Sequence, residues 1–154
     1  MEILIRQKAF EYLSMLIGHS LLYAKKSSDT ELYDFGFGEP AETVNRRGKR
    51  KLVGAMSLHA LCRIKIIWRN GERKVDKYYE DTPCEEFHHE VKRCIGLQVS
   101  RIALSDKNDL WFDLGDYWIV FATFENGEES WRFFTSDIND PHLVASNSWL
   151  YFSD

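Results

Sequence analysis

The sequence predicts an α+β domain made of two diverged copies of a helix-plus-four-strand (αββββ) unit, forming a curved antiparallel sheet or partly closed roll with the helices packed against it. Three observations predict it. Ile17-Gly18 and Ile95-Gly96 each close a helical pattern and open a strand-rich stretch, 78 residues apart. WRNGE, from Trp68 to Glu72, recurs as FENGE, from Phe124 to Glu128. Each Asn-Gly sits between alternating apolar and polar residues and is the pair preferred in a type I′ hairpin turn, where both central residues need positive φ.

The first helix spans about Ile3 to Leu16, with Ile5, Ala9, Tyr12 and Leu16 on one stripe and Leu13 and Ile17 beside it. In the opening hairpins, Ser27 matches Ser105, Glu31 matches Asp109, Leu32 matches Leu110 and Tyr33 matches Trp111 at the same offset of 78. The offset falls to 56 for the Asn-Gly blocks and for Asp81 with Asp137, so the first copy (about 1–81) carries 22 residues, at about 37–58, that the second (about 82–154) lacks. Gly36 and Gly38 in DFGFGEP read as a strand-end turn. Ala60, Cys62, Ile64, Ile66 and Trp68 alternate with His59, Arg63 and Lys65, a strand with one buried and one solvated face.

For the second helix, Thr82 is a good N-cap, Pro83 suits the first helical position, and Glu85 completes a capping box. Cys84, Phe87, Val91 and Cys94 then recur at helical spacing. In the second copy Asp116, Trp118, Val120, Ala122 and Phe124 alternate with Tyr117, Ile119 and Phe121, so both faces are apolar and the strand is expected to be central. Trp149 to Phe152 supplies a last strand.

At 154 residues the chain has the size of a single domain with a full core, and 44% hydrophobic residues set it apart from disordered compositions. A net charge of -4 has the wrong sign for a domain that coats phosphate backbones, so nucleic acid is an unlikely partner on charge alone. Three cysteines without CxxC spacing suit a reducing compartment, and MEILIRQKAFEY, with its scattered charges, holds no secretory apolar region. The expected location is therefore the cytoplasm. No apolar run is long enough to span a bilayer.

Candidate chemistry is sparse. Arg46, Arg47, Lys49, Arg50 and Lys51 form the densest charge feature, inside the extra segment, and could grip an acidic partner or phosphates; the competing reading is a solvated loop. No aromatic residue interleaves them for base stacking. Cys84 and His88 lie four apart on one helical face, with Glu85 and His89 adjacent, but structural zinc needs four ligands and no second pair presents itself. Asp106, Asp109, Asp113 and Asp116 are dense enough to suggest calcium or acid-base work, yet Leu110 stands where an EF-hand needs an oxygen. No GxSxG elbow or phosphate-cradling loop occurs. Nine aromatic residues between Trp111 and Phe134 supply core, with a pocket or partner surface as the alternative.

These patterns point first to a non-catalytic protein-binding module, with Arg46, Arg47, Lys49, Arg50 and Lys51 as the candidate contact residues and no cofactor, metal or catalytic residue assigned. In size and composition it is similar to bacterial toxin-immunity and accessory proteins. The first alternative is a small-ligand-binding protein or enzyme with a pocket between the two copies. The second is nucleic-acid binding through the basic loop 46–51.

Overall fold

The computed structural model describes residues 2–27, 30–44, 47–69, 74–77 and 85–153. Helix α1 (Glu2–Leu13) passes through a 3-10 turn (Ser14–Leu16) into β1 (Leu21–Lys26), β2 (Tyr33–Val44), β3 (Arg50–Ala60), β4 (Arg63–Trp68) and β5 (Lys74–Lys77). Helix α2 (Glu85–Arg93) leads into β6 (Val99–Leu104), β7 (Leu110–Leu114), β8 (Tyr117–Ala122), β9 (Trp131–Thr135), β10 (His142–Ala145) and β11 (Leu150–Ser153). The fold is α+β, and all described strand pairs are antiparallel.

The strands lie in two sheets rather than in the one curved sheet or roll that the patterning predicts, and five described strands, not four, follow α1. One sheet runs β1-β2-β3-β9-β10-β11 and the other β5-β4-β8-β7-β6. The single strand predicted from Ala60 to Trp68 is in fact the end of β3 and all of β4, which belong to different sheets. The chain bends at Cys62, and Leu61 N donates to Ser130 O at 2.9 Å. Ala60, Cys62 and Ile64 are nevertheless all fully buried, because both strands face one shared core, and the alternation survives the change of sheet.

The second Asn-Gly does not close a hairpin. Asn126 and Gly127 lie on the link from β8 to β9, and β8 pairs with β4 and β7 while β9 pairs with β3 and β10. Asn126 Oδ1 accepts from Glu128 N at 3.0 Å, so the reversal is local, and the following residues are claimed by the other sheet, where Ser130 N donates to Ala145 O at 2.8 Å. Asn70 and Gly71 lie outside the described residues, as do Asp81, Thr82, Pro83 and Cys84. The strands flanking the first Asn-Gly, β4 and β5, do pair with each other.

Aromatic rings fill the space between the sheets. Phe35 meets Phe121 edge-on at 5.2 Å and Phe37 meets Phe112 at 5.7 Å, centroid to centroid. Helix α1 packs beside β6 and β11, and its Tyr12 meets Phe133 of β9 at 5.1 Å; α2 packs along β1, β4 and β5, and its Phe87 meets Tyr33 of β2 at 5.4 Å. Phe87, Val91 and Cys94 are buried as the helical spacing predicts. Along α1 and the turn after it, Ala9, Leu13 and Leu16 are buried, but Ile5 and Ile17 are 36% and 44% exposed. No helix among the described residues is long and apolar enough to cross a membrane.

The two sheets meet at a short reciprocal seam. Gly18 N donates to Val99 O and Gly96 N to Leu21 O, both at 2.8 Å; Leu21 N donates to Leu97 O and Val99 N to His19 O, both at 3.0 Å; Ser20 and Gln98 form the bridge between them. Gly18 and Gly96 have φ of +89° and +92°, a region that strains any side chain. The same β-bulge follows on each side, between Leu21 and Tyr23 and between Val99 and Arg101.

Candidate functional site

The outer face of the six-stranded sheet carries a groove of about 790 Å³ that is open to solvent. Its floor follows from strand alternation. On β3, Met56, Leu58 and Ala60 turn to the core, which leaves Lys51, Val53, Ser57 and His59 on the outer face. Strand register then assembles two rows across the sheet. Tyr23 lies opposite Gly36, Gly36 opposite Ser57 and Ser57 opposite Phe134; Lys25 lies opposite Asp34, Asp34 opposite His59 and His59 opposite Arg132.

In the first row the Tyr23 ring lies across Gly36, so close that a Cβ there would clash with the ring. The Lys25 ammonium sits 4.8 Å from the centre of that ring. Burial raises the Tyr23 hydroxyl above its ordinary pKa, and the nearby Asp34 carboxylate adds to the shift. In the second row His59 Nε2 lies 3.3 Å from Asp34 Oδ1. The Phe134 ring is held between two imidazoles, edge-on to His59 at 4.8 Å and stacked on His142 at 4.4 Å.

Arg132 orients His142. Its guanidinium forks onto Glu129, with Nη2 to Oε1 at 2.9 Å and Nε to Oε2 at 3.3 Å, and its Nη1 reaches His142 Nδ1 at 3.1 Å. Arginine only donates, so Nδ1 accepts and the imidazole proton sits on Nε2. Burial lowers the His142 pKa, and the charges of Arg132 and His59 lower it further against an opposing pull from Glu129.

One wall of the groove is a β-arm. Strand β1 pairs with β2 only as far as Phe37, and β9 pairs with β3 only from Met56, so residues 40–44 and 50–54 continue as a two-stranded hairpin. A register shift between Phe37 and Pro40 sets its base, where Gly54 lies so near the other strand that a Cβ would stand 2.6 Å from Phe37 N. Thr43, Val44, Lys51 and Val53 line the groove from this arm. The extra segment at 37–58 is therefore largely strand rather than loop, and Gly36 and Gly38 lie within β2 rather than at a strand-end turn.

Of the five predicted contact residues, Lys51 faces the groove. Arg50 also lies in β3 and meets Glu42 across the hairpin at 3.4 Å, an exposed pair that contributes little stability. Arg47 and Lys49 lie in the connection at the arm tip, and Arg46 is outside the described residues. Sequence reasoning did not single out Tyr23, Asp34, His142 or the meeting of His59 with Phe134. Their only signal was polar residues on the outward phase of strands, and which strands are neighbours is not written locally.

The other candidates have structural employment. His88 Nδ1 and the Tyr33 hydroxyl share a hydrogen bond at 2.9 Å, and burial pushes that hydroxyl up to about 12. His89 is exposed. Asp109 Oδ1 accepts from Thr123 N at 2.8 Å and from Thr123 Oγ1 at 3.0 Å. Beside it Asn108, at φ +66°, ties three regions together: its carboxamide donates to Ser146 O and Trp149 O, its Oδ1 accepts from Arg6 and its carbonyl accepts from the Trp131 indole. Asp106 and Asp116 are exposed on turns. No three His, Cys, Asp or Glu side chains among the described residues are grouped to hold a metal. Phe112, Phe121, Trp131 and Phe133 are fully buried, whereas Trp111 and Trp118 meet on the outer face of the five-stranded sheet at 6.3 Å. Cys62 and Cys94 are buried, and burial, then Glu90, push the Cys94 thiol up to about 12, far from a reactive thiolate.

The groove thus offers lysines and aspartates, two imidazoles and an aromatic floor, an arrangement that suits binding. Comparison with protein-family models, with curated proteins and with solved structures finds no match to this chain.

Proposed function

We propose that the protein is a non-catalytic binding module for another protein, acting through the groove and its basic arm. The observation that carries this reading is the joint construction of the groove, with Tyr23, Asp34 and His59 from the first half, Phe134 and His142 from the second, and the arm as a wall. The described polar contacts of its imidazoles are to Asp34 and Arg132, which orient rings rather than activate a nucleophile.

The same reading takes the two halves as diverged copies of one unit. Its support is the seam, where adding 78 to each residue of one half returns the partner bonds of the other. Strand order supports it too, since β1-β2-β3-β9-β10 maps onto β6-β7-β8-β4-β5. In this view each copy places three strands in one sheet and lends two to the other, and the second copy adds β11 at the edge.

Affinity capture from the native cell tests the function, comparing the intact chain with one in which residues 45–49 are replaced by Asn-Gly, which keeps a hairpin but removes the arm tip. The expected result is a specific protein partner that the variant retains at least about tenfold less well. Equal retention by both chains would sink the reading. A second reading, a small-molecule site in the same groove, is favoured by its volume, which lies in the range of ligand pockets. A native preparation that carries a small molecule and no protein would establish it instead.

A further inference from the structure

We propose that the β-arm pairs with the arm of a second copy of the chain, edge to edge along residues 50–54 of β3, with Leu52 opposite its own counterpart on a two-fold axis. This pairing is independent of what the groove binds.

Backbone phase is the first support. Strand β9 covers β3 only from Met56 onward, and no described strand lies beside residues 50–54 on that side. Leu61 N donates to Ser130 O and Ala55 O accepts from Ser136 N, both at 2.9 Å, so the odd-numbered residues of β3 turn their backbone groups toward β9. The register shift at the base of the arm puts its extra residue in β2, between Phe37 and Pro40, so β3 keeps this phase into the arm. The N–H and C=O of Lys51 and Val53 therefore point out of the arm edge, a template for another strand. An antiparallel copy centred on Leu52 sets Lys51 against Val53 and Val53 against Lys51, each pair exchanging both of its N–H···O bonds. Leu52 then meets its counterpart in the closer, non-bonded position, with Cα atoms about 4.5 Å apart.

Side chains are the second. Leu52 is 67% exposed in mid-strand, and this register covers it with another leucine. Arg50 falls opposite Gly54 and Lys51 opposite Val53, so no two cations face each other. The equivalent register on the other edge of the arm would set Glu42 against Glu42, like charges that destabilise a strand pair. Ser136 N already occupies Ala55 O, so the pairing ends at Gly54. There Lys49 of one copy enters beside the corner where Ser136 and Asp137 of the other leave the sheet, which brings opposite charges together at both ends of the ribbon.

A two-fold axis through the leucine pair stands perpendicular to the sheet, so both grooves open on the same side of the dimer. An edge this short makes a small interface, of the weak and reversible class.

Sedimentation velocity of the full chain from about 1 to about 500 μM tests the pairing, with circular dichroism as the check on folding. The expected result is a reversible monomer–dimer equilibrium. Leu52→Lys and Leu52→Glu each place like charges across the axis and should weaken self-association at least about tenfold, whereas their equimolar mixture should restore it. Val44→Lys, at the other strongly exposed apolar residue of the arm, lies on β2 outside the pairing and should leave association unaltered.

A chain that stays monomeric at about 500 μM overturns the inference and leaves the β3 edge to a strand of another protein. Undiminished dimerisation in the two Leu52 variants, or a mixture of them that does not associate, overturns it as well. An equal loss in Val44→Lys does the same, by showing general adhesion of the apolar arm rather than strand pairing at Leu52.

Discussion

The ring of Tyr23 occupies the space that a side chain on Gly36 would need. The two residues are direct cross-strand partners between β1 and β2, and the ring can lie flat on the sheet only because its partner has no Cβ. Gly36→Ala should therefore cost about 1–3 kcal/mol in urea unfolding by forcing the ring off the face. In a Tyr23→Ala background the same change should be nearly neutral. Equal costs in both backgrounds would show that the ring is not what Gly36 accommodates.

Gly18 and Gly96 make a matched pair. Nothing lies within 4 Å of a Cβ built on either, so substitution is resisted by backbone conformation alone. Gly18→Ala and Gly96→Ala should each destabilise by about 1–2 kcal/mol, and by similar amounts. A cost at one site and none at the other would argue against an equivalent seam.

Asn108 is held by four partners and buried. Asn108→Ala strands Arg6 and two carbonyls and should cost about 2–4 kcal/mol, visible as an earlier thermal midpoint. Asn108→Gly relieves the positive φ but not the lost bonds, so it should recover only part of that cost. Wild-type stability in the alanine variant would remove the clip from the account.

Stability should fall on mild acidification. Burial lowers the pKa of both His88 and His142, helped by Lys92 and Lys26 at the first and by Arg132 and His59 at the second. The folded state then resists protonation that the unfolded chain accepts at about 6.5. The contribution is full above that value and is lost as pH falls through the lowered folded values. Urea midpoints at about pH 7.5 and about pH 5.5 should differ, and the difference should shrink in the His88→Gln, His142→Gln double variant. An undiminished difference would place the acid sensitivity elsewhere.

Much of the fold was legible because burial leaves a local trace. Ala60, Cys62 and Ile64 were read as inward from alternation alone, and Phe87 and Val91 from helical spacing, and all are buried. Partner choice leaves no such trace. Leu61 carries nothing that announces a change of sheet, and Asn126-Gly127 encodes a reversal without saying which strand receives the returning chain. The groove fell in the same gap. His59 and Phe134 lie 75 residues apart and meet through the register of β3 on β9, whereas Lys51 was visible as one member of a basic run.

The interleaving of the sheets bears on how the chain emerges during synthesis. Ala60 pairs with Trp131 and Trp68 with Tyr117, so β3 and β4 complete their sheets with strands made dozens of residues later. Until β8 and β9 leave the ribosome, the nascent chain carries two apolar strands with open edges, each able to recruit a neighbouring polypeptide. Contacts of this sequence separation also slow folding. The first half is thus the span over which a nascent chain depends most on chaperone protection.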